Sequence, residues 1–183
     1  MDERAISLGL ACYLSETLEV KTMNGPKAER PHMPGYGIAG ANEGKGLFAW
    51  SWATERLTKA RTYWIATARS NGQPHVMPVW GVWLDDAFYF STGNQSRKAR
   101  NLVENPRCTV SCEVNEDQII LEGEARLLDD SELRSKFGAA YQAKYDFDME
   151  GFNEPFYAVH PSAVFGFTTS GDQFTKTATR WVF

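Results

Sequence analysis

TYWIATARSNGQPHVMPVWGVWLDDAFYFST, residues Thr62 to Thr92, decides the fold. Thr62 to Arg69 is β-branched and aromatic, which is strand composition. Ser70-Asn71-Gly72-Gln73 follows, and Asn-Gly between two such runs is a strong hairpin signal. Pro74 to Leu84 reads as the returning strand, with Pro78 and Gly81 marking a bend or bulge. Asp85-Asp86 turns the chain again, into a third strand over Ala87 to Thr92. Three strands joined by tight turns make an antiparallel meander, because parallel neighbours need a crossover of a dozen or more residues.

Working outward, Trp50 to Arg61 has helical spacing, with Trp52, Leu57 and Ala60 inward. Ser96 to Glu104 is a second helix, with Ala99, Leu102 and Val103 inward, stopped by Asn105-Pro106. Arg107 to Val114 and Gln118 to Leu128 are strands about the turn Asn115-Glu116-Asp117. Asp129-Asp130-Ser131 caps a helix from Glu132 to Tyr145. Phe156 to Thr169 is a strand broken near Pro161, and Gln173 to Phe183 is a last strand. Upstream, Ile6, Leu10, Tyr13, Leu14 and Leu18 recur at helical spacing, Lys21 to Arg30 is a polar loop, and residues 31–46 are too rich in Gly and Pro for a regular element. Strand and helix do not alternate regularly, so a doubly wound parallel sheet is excluded. The expected class is mainly β (α+β): an antiparallel barrel of six or seven strands with a few covering helices. Residues 1–46 form an extension and wrapping loop, and 47–183 the domain.

The 183 residues carry 19 basic and 23 acidic side chains, a net charge of −4. This balance disfavours a nucleic-acid binder or a polybasic membrane protein, both of which need a broad basic surface. No apolar run approaches the ~18 residues that span a bilayer, and Met1-Asp-Glu-Arg4 is not a signal-peptide start. A cytoplasmic location is expected, and the three cysteines, Cys12, Cys108 and Cys112, suit a reducing compartment. Six Trp among 13% aromatic residues suit packed sheets or a pocket for a flat ring. Gly35-Tyr-Gly37-Ile-Ala-Gly40 matches a dinucleotide fingerprint by letter, but it has no strand before it and no helix after it. His32, His75 and His160 are dispersed, so no metal site is expected. No catalytic triad or nucleophile elbow is present.

The chemistry-bearing segment is Phe88 to Pro106, FYFSTGNQSRKARNLVENP. A strand ends in Ser91 and Thr92, a Gly-containing turn follows, and a helix opens with Ser96-Arg97-Lys98. Helix N-terminal N–H groups and the macrodipole favour an anion there. Thr92 and Ser96 offer hydroxyls, and Arg97 and Lys98 add positive charge. Two cations at the positive end of a helix are unfavourable by about 0.3–1 kcal/mol each. They point to an anionic ligand, with a solvated charged face as the alternative.

Strand–Thr-Gly-x-x-Ser-Arg-Lys-Ala–helix–Asn-Pro, preceded by ATARSNGQPHVMPVW, resembles the flavin-binding split β-barrel of pyridoxamine 5′-phosphate oxidase-like proteins over Thr54 to Leu128. Arg30-Pro-His-Met-Pro-Gly-Tyr36 and Thr177-Ala-Thr-Arg-Trp181 resemble the branch associated with the deazaflavin coenzyme F420. The resemblance implies a homodimer with the cofactor, F420 or FMN, in a groove between subunits. It implies that Thr92, Ser96, Arg97 and Lys98 hold the cofactor phosphate, with Ser91 beside them as a further cofactor-binding residue. His75, Val76, Met77 and Pro78 would run beside the ring, and Arg180 and Trp181 would reach the partner subunit's site. The implied activity is hydride transfer between F420 and a small conjugated substrate, with the cofactor supplying the reacting centre. An FMN-dependent oxidoreductase on the same fold is the alternative, and a non-catalytic flavin or haem carrier is a third reading. Haem would need an axial ligand, and in the matched region only His75 offers one. Pyridoxamine phosphate oxidases carry a basic pair along the strand that here reads His75-Val-Met-Pro-Val-Trp80, and their C-terminal Arg and His segment is reduced here to Arg180. The acidic tail of F420 requires further cations, for which Lys59, Arg61, Arg69 and Arg100 are candidates. Trp80, Trp83 and Tyr89 are candidates for the ring or substrate pocket, with core packing the alternative for each. Met33 to Tyr36 is a candidate cover for the cofactor, with a surface wrap as the alternative.

Overall fold

The computed structural model describes residues 25–40, 46–149, 151–169 and 173–183. The helix expected around Leu10 lies outside the described residues. Nine strands form one antiparallel sheet: β1 Lys27–Glu29, β2 Tyr63–Ala68, β3 Pro74–Val79, β4 Gly81–Leu84, β5 Ala87–Ser91, β6 Arg107–Val114, β7 Asp117–Leu127, β8 Phe156–Thr168 and β9 Thr179–Val182. Helices α1 (Trp50–Lys59), α2 (Arg97–Glu104), α3 (Ser131–Tyr145) and α4 (Phe174–Thr177) are set between them.

The sheet curls because one strand serves two neighbours. β3 pairs with β2, and after the single residue Trp80 the same chain continues as β4, which pairs with β5. β5 pairs with β8, β8 with β7, β7 with β6, and β6 with β2, so the pairing returns to its start. This is the split β-barrel. The expected Pro74–Leu84 strand is thus present but divided at Trp80. β8 runs unbroken through Pro161, where a register shift at Glu122/Gly123 places the proline at a bulge, the position in which a missing N–H is tolerated. Across the same residues β8 changes its other neighbour, from β5 at Phe156–Val159 to β9 at Ala163–Gly166.

Three boundaries differ from expectation. Lys27–Glu29, expected as loop, is an edge strand on β9. The last expected strand, Gln173–Phe183, instead begins with the helical turn α4, and only Thr179–Val182 is extended. Val103 of α2 is solvent-exposed, while Asn101 takes the inward position beside Leu102.

Alternation explains the core. On β5, Phe88 and Phe90 point into the barrel and join Tyr63, Ile65, Val110, Ile119, Leu121 and Trp181. Ala87 and Tyr89 point the other way, under α3, with Phe137, Tyr141, Tyr145 and Phe156. Both faces of β5 are therefore covered, which is why Ala-Phe-Tyr-Phe is apolar without a break. α1 closes the barrel with Ala53 and Leu57. Gly166 lies where a Cβ would come 2.7 Å from the Trp52 ring and 2.8 Å from Trp181. Gly166→Ala is therefore expected to destabilise the protein by about 1–3 kcal/mol through overpacking. A lowered urea midpoint checks this, with Gly25→Ala unchanged because nothing lies within 4 Å of its Cβ position.

Candidate functional site

The turn after β5 sets Thr92 and Ser96 together at the start of α2, whose first two residues are Arg97 and Lys98. Ser96 is extended, at φ −66° and ψ 155°, and its Oγ accepts from the Ala99 N–H at 3.1 Å, which makes it the N-cap of α2. Thr92 is buried, and its Oγ1 lies 3.1 Å from Ser96 Oγ. Ser91 is turned away: its hydroxyl donates to the Pro155 carbonyl at 2.8 Å. The loop is anchored from outside by Glu154, whose carboxylate accepts from the Asn94 N–H at 2.7 Å. The first turn of α2 contains no acidic residue, only Arg97 and Lys98. Burial holds the Lys98 ammonium below the usual lysine range.

α2 is latched to the cofactor strand proposed from sequence. Buried Asn101 donates from Nδ2 to Thr67 Oγ1 at 2.9 Å, and Thr67 donates to the His75 carbonyl at 3.5 Å. His75 and the cradle are thereby brought together. Burial lowers the His75 pKa below its ordinary value, and the charges of Lys98, Arg69 and Arg97 lower it further. Imidazole Nδ1 and Arg69 Nε are both buried with no hydrogen-bond partner. Arg69, Arg97, Arg100, Asn101 and Glu104 line a cleft of about 180 Å³. The rest of β3 is open, with Val76, Met77 and Pro78 exposed. A groove of about 690 Å³ adjoins it, lined by Ala66, Ala68, Pro74, Arg107, Glu122 and His160 among others.

The flanking motifs lie elsewhere. Trp181 is wholly buried, with its ring 5.5 Å from Trp50 and 6.4 Å from Trp52, so it cannot reach a cofactor or a partner subunit. Arg180 donates to Glu29 at 2.5 Å, and Arg30 donates to the Ala178 carbonyl at 3.0 Å. The N- and C-terminal motifs therefore pair with each other along β1 and β9. Tyr36 packs on Phe174 at 6.3 Å, a surface wrap of α4. Lys59 is paired with Glu55 at 2.6 Å, and Arg61 donates to the Lys144 carbonyl at 2.8 Å. Only Arg69 and Arg100 of the four candidate extra cations reach the cleft. Trp83 is partly buried against Trp50 and Tyr89 is buried, which leaves Trp80 as the exposed member of that trio. The latch residues Thr67 and Asn101 had no role in the sequence reading. Their one signal is a polar residue at an inward position of each element.

The pyridoxamine 5′-phosphate oxidase family model matches residues 53–167. The chain belongs to this family. A search of curated proteins gave no match. Solved structures with the same fold include an F420 reductase, 20% identical, with 60% of this chain and 93% of that chain covered and a TM-score of 0.51. An FAD-binding protein from Mesorhizobium loti is 19% identical, with 74% and 95% covered and a TM-score of 0.55. A haem storage protein from Vibrio cholerae is 19% identical, with 61% and 88% covered and a TM-score of 0.53. At such identities these likenesses establish the family fold. Among the described residues no helix is long and apolar enough to cross a membrane.

His75 reports directly on the site. In the free protein its imidazole is expected to titrate below the ordinary histidine range, so it is neutral at pH 7. An anion bound among Arg69, Arg97 and Lys98 cancels the charges that depress it, so saturation with FMN is expected to raise the pKa. Histidine proton shifts followed against pH would show this. A titration unmoved by FMN would count against phosphate binding at this cradle.

Proposed function

We propose that the protein is a deazaflavin- or flavin-dependent oxidoreductase, with F420 as the preferred cofactor and a small conjugated molecule as substrate. The observation that carries this reading is the pair of orphaned buried atoms, Arg69 Nε and His75 Nδ1, set beside two cations at the start of α2. Buried polar atoms without partners are costly, and an anionic ligand would satisfy them. Thr92, Ser96, Arg97 and Lys98 would hold the cofactor phosphate, and His75 to Pro78 would lie beside the ring. When bound, the cofactor supplies hydride transfer at its central ring. The chain's own part is to bind, orient and exclude water.

F420 is favoured because the cleft of Arg69, Arg97 and Arg100 extends the positive charge beyond the cradle, as an acidic tail requires. FMN has a single phosphate and makes less use of it. Pyridoxamine phosphate oxidation is not supported, since β3 offers a neutral His75 where those enzymes carry a basic pair. Arg97→Ala with Lys98→Ala is expected to weaken FMN and F420 at least tenfold, given about 1.5–3 kcal/mol for each hydrogen bond to a charged group. Folding should be retained, because Arg97 is exposed and Lys98 only half-buried. Arg69→Ala with Arg100→Ala should weaken F420 more than FMN, and an equal effect would favour FMN as the cofactor. Cofactor fluorescence titrations measure all four affinities.

The second part of the proposal is a homodimer that completes the groove. Trp64 is 50% exposed and Val76 51%, and they share one face with Pro78 through the pairs Trp64↔Pro78 and Ala66↔Val76. An apolar face of this kind on an edge hairpin marks an interaction surface. Light scattering is expected to give twice the 20.6 kDa of the chain. Val76→Asp should yield a monomer that binds cofactor weakly, and a monomeric wild type with tight binding would overturn the interfacial site.

A further inference from the structure

Trp80 stands where β3 becomes β4, two residues beyond Pro78 and on the same outward side as Val76 and Pro78. Its indole is 49% exposed. One face lies parallel on the Tyr145 ring, with centroids 4.8 Å apart and planes at 4°. Phe147, itself 42% exposed, stands edge-on at 6.5 Å and 74°, and Tyr141 flanks the pair at 6.3 Å. The described ring contacts of this indole are all aromatic, and about half of its surface is exposed.

The platform is rigid. Tyr145 Oη accepts from the Gly81 N–H at 3.0 Å and lies 2.8 Å from the Gly81 carbonyl, to which its hydroxyl donates. Lys144 Nζ donates to the same carbonyl at 3.2 Å and to Tyr63 Oη at 2.7 Å. The helix residues that support the indole therefore also hold the backbone of the next residue. An aromatic ring fixed in this way, and half-exposed, is pre-organised for stacking and loses little entropy when a flat ligand lands on it.

We infer that Trp80, backed by Tyr145 and walled by Phe147, is the stacking surface for the substrate, and that it selects a flat, uncharged, conjugated ring over a phosphate ester. The inference rests on the cofactor reading above, since it places substrate beside the strand assigned to the cofactor ring. Lys144 is committed to Tyr63 and Gly81 and Arg61 to the Lys144 carbonyl, so neither is presented to a ligand phosphate.

The test uses the full chain, with and without FMN or F420, and 1,4-naphthoquinone as probe. Calorimetry measures quinone binding, cofactor fluorescence measures cofactor affinity, and light scattering measures mass. Trp80→Ala is expected to weaken the quinone at least tenfold, with cofactor affinity and mass within twofold of wild type. Trp80→Phe should restore most of the binding, Phe147→Ala should weaken it several-fold, and, with FMN or F420 occupying the cradle, pyridoxal 5′-phosphate should bind at least tenfold more weakly than the quinone. Unchanged quinone binding by Trp80→Ala would overturn the inference. So would a wild type that binds cofactor but not quinone, or a Trp80→Ala protein that becomes monomeric, which would make the indole an interface residue. Failure of the cofactor reading shows separately, as absent FMN and F420 binding in wild type.

Discussion

The bend at Trp80–Gly81 is the constraint on which the rest of the structure depends. There one chain leaves β2 and joins β5, and the curled sheet becomes a barrel. A Cβ at Gly81 would overlap the Phe88 ring and lie 2.6 Å from the Tyr89 carbonyl, so the strands approach to backbone contact. The polar groups at this crowded point are all satisfied by α3: Tyr145 takes the Gly81 N–H, and Tyr145 and Lys144 meet its carbonyl. Burial lowers the Lys144 pKa to about 8, and the favourable C-terminal end of α3 and the Tyr63 oxygen keep the cation in place. The helix is therefore a clamp on the barrel's closure as well as a lid on the second core.

From this bend the two halves of the candidate site follow. β3, held at one end by the clamp and at its His75 end by the Asn101–Thr67 latch, lies along the barrel with an open apolar face. α2 brings its positive end to the same place. Two cations there oppose the helix dipole, and His75 is left neutral and unsatisfied. The free protein thus carries local electrostatic cost beside the exposed apolar residues of β3. Strain and desolvation gathered in this way are characteristic of a binding site and are hard to account for as packing.

Much of this was legible in the chain because it depended on local signals. Asn71-Gly72, Asp85-Asp86 and Asn115 supplied turns, and Gly72, both aspartates and Asn115 do adopt positive φ. Ser96 was readable as a cap, and Ser-Arg-Lys as a charge pattern. What escaped depended on contacts far apart in sequence. β1 exists because β9 offers it an edge 151 residues away, between Glu29 and Arg180. Trp181 looked like a site residue beside Arg180, but strand alternation turns adjacent side chains to opposite faces, and the missing side chain at Gly166 leaves room for the indole. Ser91 and Thr92 could not be separated by letter, since only the Pro155 carbonyl decides which hydroxyl is free. Arg69 and His75 sit on either side of a hairpin, and their shared burial with Lys98 is a property of the folded sheet.

The same chain segment is the basis on which the proposed function departs from the activity that names the family. Where a basic pair on β3 would face a phosphorylated substrate, this protein has His75 at one end and Trp80 at the other. Burial holds the first below the ordinary histidine range, and Lys98, Arg69 and Arg97 lower it further, so the positive charge lies on the hairpin and α2 rather than on the strand. The second is an exposed aromatic ring in contact with other aromatic rings. An anion is therefore best received at the α2 end, while the Trp80 end suits an apolar planar group. The proposed pairing of an anionic-tailed cofactor with an apolar planar substrate rests on that polarity along the strand.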